Sequence, residues 1–153
     1  MARTAFHAMR CTNATADEMR FLDTNVLLYS ISRNPDDAGK RDKAIALLEC
    51  DDIAFSAQIM QEFYVQATRS TRHSPMPHAI AVGFIDTWSR FPMQDITLSI
   101  VRSALEIKAR HGFSYWDSAI IAAARALGCD ELLTEDLSHG RIVEGVTIRN
   151  PFR

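Results

Sequence analysis

No C-x-x-C pair and no H-E-x-x-H spacing occurs anywhere in this chain. Its three cysteines, Cys11, Cys50 and Cys129, are odd in number and far apart. That argues against a structural zinc site and a disulfide framework, and reduced thiols are the expectation. His7, His73, His78, His111 and His139 are equally scattered and make no metal-ligand or general-base motif. No apolar run approaches the ~18 residues needed to span a bilayer, so no membrane is expected as a partner. Arg3, His7 and Arg10 lie near the start without a sustained apolar core, so a secretory signal is not expected and a soluble, cytoplasmic protein is. A formal net charge of -2 rules out a broad basic surface, although an acidic site can mask a local basic rim.

Against these absences stands a composition of 47% hydrophobic and 24% charged residues, which is that of an ordinary globular domain. A chain of 153 residues suffices for one domain that buries roughly two-thirds of its unfolded surface. Residues 1–18 have no hydrophobic period and are read as a flexible N-terminal extension. The globular pattern occupies residues 19–153, and Met19 is an alternative start.

Short apolar strands alternate with amphipathic helices along that pattern. Strands are expected at about Arg20–Asp23, Ile53–Phe55, Met93–Ile96, Glu131–Thr134 and Val146–Arg149. Helices are expected at Asp37–Glu49, from the cap Ser56 to about Thr68, through Ile80, Phe84, Trp88 and Phe91 up to Pro92, over Leu98–Arg110, and from the cap Ser114 to Gly128. Leu98, Val101, Leu105 and Ile107 are core candidates of the fourth helix, and Gly112 is its breaker. The alternation predicts a three-layer α/β/α domain around a mostly parallel sheet of about five short strands.

Acids mark the ends of these elements. Asp23 closes the first strand, and Glu135-Asp136 follow the strand Leu132–Thr134. Glu62 and Asp117 interrupt otherwise apolar helices. In parallel α/β sheets ligands bind outside the carboxyl ends of the strands. Four carboxylates from four distant segments repel one another unless a cation compensates them. Mg²⁺ and Mn²⁺ prefer such oxygen ligands, and a bound ion can activate water against a phosphodiester.

Each acid also has a plainer role. Asp23 and Asp136 suit turns after strands, and Glu62 suits an exposed helix face. Asp117 falls in Ser114-Tyr115-Trp116-Asp117, the spacing of a capping box. Thr24, Asn25 and Thr134 are candidates for positioning those acids or bonding a phosphate, or for simple turn capping. Arg69, Arg72 and His73 form a basic loop, and Lys40, Arg41 and Lys43 a basic helical stretch. Both are read first as solvated faces and second as backbone contacts for nucleic acid. Trp88 and Trp116 are read as core or interface residues rather than base-stacking platforms.

Taken together, Phe21-Leu22-Asp23-Thr24-Asn25-Val26-Leu27-Leu28-Tyr29, Ser56-Ala57-Gln58 through Glu62-Phe63-Tyr64, Ser114 through Ile120, Leu133 through Leu137 and the ending Gly145–Phe152 resemble PIN-domain ribonucleases. They are similar in particular to the VapC-like toxins of bacterial toxin–antitoxin pairs, in order and in register from about Met19 to Phe152. The resemblance implies an endoribonuclease dependent on Mg²⁺, or on Mn²⁺. Its acids would be Asp23, Glu62, Asp117 and Asp136, with Asp23 and Asp117 as the principal metal ligands. It also implies a cognate antitoxin and a homodimer as partners. The large apolar residues on the Ile80–Phe91 helix agree with a second copy.

Two other classes of function compete. A signalling receiver domain also houses Mg²⁺ in an acidic pocket of a small α/β sheet. It needs an acidic pair after its first strand, where Thr24-Asn25 stand, and Asp51-Asp52 precede their strand rather than follow it. An aspartyl phosphatase would place a second Asp where Asn25 lies. A catalytically inactive RNA-binding module would lack one or more of the four acids, and all four are present.

Overall fold

A computed structural model describes residues 18–153 of the protein. The expected extension, residues 1–18, lies outside the described residues but for Glu18. Six strands form one sheet: β1 (Arg20–Leu22), β2 (Ile53–Ser56), β3 (Met93–Gln94), β4 (Glu131–Leu133), β5 (Ile142–Val143) and β6 (Val146–Arg149). Their order is β3-β2-β1-β4-β6-β5, parallel except where β5 runs against β6. The expected three-layer α/β/α domain with a mostly parallel sheet is present; β5, a two-residue strand too short to show a period, adds a sixth strand to the expected about five. Its hairpin turns through Glu144 and Gly145, both at positive φ, 51° and 85°. Those angles suit the tight turns whose twist matches the flanking strands.

The helices are α1 (Thr24–Ser30), α2 (Ala38–Leu48), α3 (Ala57–Thr68), α4 (His78–Trp88), α5 (Leu98–His111) and α6 (Tyr115–Ala126). Helix α1 corresponds to no expected element. Its seven residues include buried Thr24, Val26 and Leu27, so no polar stripe marks it as amphipathic. Helix α4 stops at Trp88, before the expected limit at Pro92, and Phe91 packs from beyond it.

Central β1 is hydrophobic on both sides because helices cover both faces of the sheet. Phe21 and Leu22 are fully buried and register with Leu132 and Leu133 of β4. Helix α6 lies across β2, β3, β4 and β6, and α5 packs on it. A run of small side chains, Ser118, Ala119 and Ala122–Ala124, makes that close approach possible. On α5 the buried residues are Ala104 and Ile107, whereas Leu98 and Leu105 are 64% and 52% exposed, against expectation. Phe55, Phe63, Phe84, Trp88 and Phe91 form an aromatic cluster that seats α3 and α4. Ile80 of the same expected face is 52% exposed.

Cys129 is a free, buried thiol, pushed up to about 12 by burial and so chemically quiet. Cys50 is also buried, with its sulfur 3.3 Å from the Ala46 carbonyl. No helix among the described residues is long and apolar enough to cross a membrane.

Candidate metal centre

The chain visits β1, β2 and β3 on one side of the sheet and returns to lay β4 on the other side of β1. A reversal of strand order opens a crevice at the carboxyl ends of the two strands. Asp23 follows β1 at that crevice, and Thr134 through Asp136 follow β4. The Asp23 amide donates to the carbonyl of Leu133 at 3.1 Å, which ties the two strand ends together.

Asp23 also caps α1, with its Oδ1 accepting from the Thr24 amide at 2.7 Å. Its Oδ2 accepts from the buried Thr134 hydroxyl at 2.7 Å. The Asn25 amide nitrogen donates to Asp23 at 3.3 Å, to Thr134 at 3.1 Å and to Asp136 at 3.2 Å. One side-chain amide therefore spans two of the expected acids. Burial lifts the Asp23 carboxyl from 3.8 to about 6; the Thr134 and Thr24 bonds pull it down, while the charges of Asp136 and Glu62 push it up. Thr24, Asn25 and Thr134 thus hydrogen-bond the candidate acids or their turns.

Glu62 projects from α3, whose start is set by Ser56, the Ser56 hydroxyl accepting from the Ile59 amide. Thr24 Oγ1 donates to Glu62 Oε2 at 2.8 Å and Gln58 Nε2 to Oε1 at 2.9 Å. Gln58 Nε2 also reaches the carbonyl of Trp116 at 3.4 Å, which joins this group to the first turn of α6. Asp117 stands in that turn. Its amide donates to the capping Ser114 hydroxyl at 3.1 Å, and the same hydroxyl donates to Asp117 Oδ2 at 2.8 Å. The Ser114 cap of α6 is formed, and Asp117 follows the residue whose carbonyl Gln58 holds.

Among the described residues, no three Asp, Glu, His or Cys side chains lie close enough together to enclose an ion by themselves. Asp23, Glu62 and Asp136 share one field, whereas Asp117 is not among the charges that act on Asp23, and its carboxylate is bonded to Ser114. A Mg²⁺ site ordinarily uses one or two carboxylates completed by water and phosphate oxygens, so three converging acids are not required. The ion pairs decide the fit. Asp52, Glu131, Glu135 and Glu144 each hold an Arg or Lys, but none of the four candidate acids does among the described residues. Carboxylates gathered without a basic partner fit a cation.

Three features escaped the sequence reading. Gln58 is buried and joins Glu62 to α6. Lys40, expected on a solvated face, bonds Glu135 at 2.7 Å and the Tyr29 hydroxyl at 3.0 Å, beside the Asp136 turn. Its ammonium is raised above the ordinary lysine range, chiefly by the Glu135 bond. Arg72 and His73 lie with Arg33 along a separate groove of about 820 Å³, and Arg69 is exposed. Only contacts between distant segments define these groupings.

The profile of the PIN domain family matches residues 20–144. No curated protein matches the chain significantly. Among solved structures, a toxin–antitoxin complex from Klebsiella pneumoniae is similar at 20% identity and a TM-score of 0.63, over 86% of this chain and 97% of that one. The sarcin–ricin loop cleaving toxin VapC20 of Mycobacterium tuberculosis is similar at 18% and 0.59, over 74% and 86% of the two chains. VapBC2 of Rickettsia felis, bound to a DNA fragment from its promoter, is similar at 18% and 0.60, over 86% and 98%. At these identities the likeness is one of fold.

Proposed function

This chain belongs to the PIN domain family, and we propose that it is a divalent-metal-dependent endoribonuclease serving as the toxin of a cytoplasmic toxin–antitoxin pair. The observation that carries the reading is the set of carboxylates at the strand-order reversal, without basic partners and with Asp23 pushed up to about 6 by burial. Asp23, Glu62, Asp117 and Asp136 would hold Mg²⁺ or Mn²⁺. The ion would supply an activated water and charge compensation for the phosphodiester. The protein's own contribution is orientation. Asn25 and Thr134 set Asp23 against Asp136, and Thr24 and Gln58 fix both oxygens of Glu62. Ser114 holds the first turn of α6 and with it Asp117.

The receiver reading fits less well. Arg20 donates to both oxygens of Asp52 at 2.8 and 2.6 Å at the opposite, amino-terminal edge of β1 and β2, so that acid belongs to no pocket at the carboxyl ends. An inactive RNA-binding module is disfavoured by the presence of all four acids. The partners proposed are an RNA substrate, an antitoxin, as the similar complexes suggest, and a second copy of the chain. Val65, Ile80 and Val82 on α3 and α4 offer exposed apolar area for such a copy.

Purified protein incubated with tRNA and ribosomal RNA tests the reading. Cleavage should require Mg²⁺ or Mn²⁺, stop with EDTA and vanish in Asp23→Asn. Equal cleavage in excess EDTA would exclude the metal mechanism.

A further inference from the structure

We propose that the shallow cleft between the first turns of α3 and α6 and the end of β3 binds one unpaired nucleobase of an RNA substrate, stacked on Trp116 and read by the amide of Gln61. The inference rests on the nuclease reading and names how substrate enters that same site. Trp116 is 65% exposed, which excludes the core but not the interface half of its expected place, whereas Trp88 is 4% exposed. A large aromatic face left to water immediately before Asp117 calls for an occupant. The Tyr115 ring braces it edge-on at 5.1 Å, and Gln58 holds its carbonyl.

The cleft's chemistry selects a base over a phosphate. Gln58, Gln61 and Gln94 line it with Trp116 and Ile96; no Lys or Arg does, and its one charged residue is Asp95. Phosphates seek cations, whereas bases present flat faces and hydrogen-bonding edges. Gln58 is committed to Glu62 and to the Trp116 carbonyl. Gln61 is exposed and its side chain makes no hydrogen bond among the described residues, so its amide is available to a base edge. Unpaired RNA bases are typically recognised by stacking on aromatic rings together with bonds to their edges. Because Gln58 touches both Glu62 and Trp116, a base in the cleft places its own phosphate toward the carboxylates.

Short single-stranded oligoadenylate and oligouridylate, titrated into the full chain with Ca²⁺, are the probes. The chain has two tryptophans and Trp88 is buried, so quenching by the oligomer reports Trp116. Trp116→Ala should weaken oligomer binding about ten-fold, read by the anisotropy of end-labelled oligomer, and raise KM for cleavage about ten-fold with kcat unchanged. Trp116→Phe should restore most of the KM, and Gln61→Leu should alter the preference between the two oligomers. Unchanged affinity and KM in Trp116→Ala, with wild type still cleaving, would overturn the base site and leave the nuclease reading intact. Conversion of a dimer to a monomer by Trp116→Ala, at unchanged oligomer affinity, would assign the ring to a second copy and also overturn it. A wild type that neither binds nor cleaves RNA would overturn both.

Discussion

Burial sets the proton affinity of Asp23 against its hydrogen bonds, and the consequence is measurable without any metal. Its folded-state value, about 6, exceeds the ordinary 3.8, so the folded chain holds this proton more tightly than the unfolded one. The associated stability is fully present below 3.8 and is lost as pH rises through about 6. Converted at 1.36 kcal/mol per pH unit, the effect is about 3 kcal/mol. Glu144 acts in the opposite sense. Its carboxyl is lowered by the His111 bond first and by the charges of Arg110 and Arg125, so its contribution is lost as pH falls. The Asp23 effect must therefore be read as a difference. In EDTA, Asp23→Asn should be increasingly more stable than wild type between pH 4 and 7, by urea unfolding. A flat difference would show that Asp23 is better solvated than its 7% exposure indicates.

At the scale of elements, α6 allows a cap to be told apart from the proposed metal ligand. Ser114→Ala removes the acceptor of the Asp117 amide and should cost about 1 kcal/mol of stability. Asp117→Asn keeps that amide bond and an acceptor for the Ser114 hydroxyl, so it should cost no more than about 1 kcal/mol. It should nevertheless abolish cleavage, because Asn lacks the charge that binds the ion. Metal calorimetry and apo melting on both variants check this pair. Wild-type metal affinity in Asp117→Asn would return the residue to capping alone. The turn before α6 depends on Gly112, which ends α5 at φ 75° with open space where a Cβ would stand. Gly112→Ala should therefore lose about 1–2 kcal/mol through the backbone alone, with cleavage per folded molecule unchanged.

For the whole molecule, the proposed metal centre predicts that the carboxylates trade apo stability for ion binding. On the proposed function, Mg²⁺ or Mn²⁺ would bind the folded chain and should stabilise it by about 2.7 kcal/mol at a hundred times its dissociation constant. Melting curves with and without the ion should separate for wild type and coincide for Asp23→Asn. Coinciding curves for wild type would mean that the centre assembles no ion site in the free protein.

Local chemistry was enough to determine the alternation of strands and helices, the caps Ser56 and Ser114, the breaker Gly112 and the acids that close β1 and β4. Each depends on a residue's own backbone preference or on the period of its neighbours. The same local signals could not reveal α1 and β5. The first carries no polar stripe because it is buried along much of its length, and the second has only two residues. Nor could they separate Phe84 and Trp88, which pack inward, from Ile80, Leu98 and Leu105, which stay exposed. Periodicity names a face but not how far a neighbour covers it. Tertiary structure alone decided that β4 returns beside β1. That strand order brings Asp136 to Asp23 through Asn25, sets Gln58 between Glu62 and Trp116, and leaves the Trp116 ring in water. These arrangements join segments up to 111 residues apart. Only the closure of the sheet brings such segments within hydrogen-bonding distance.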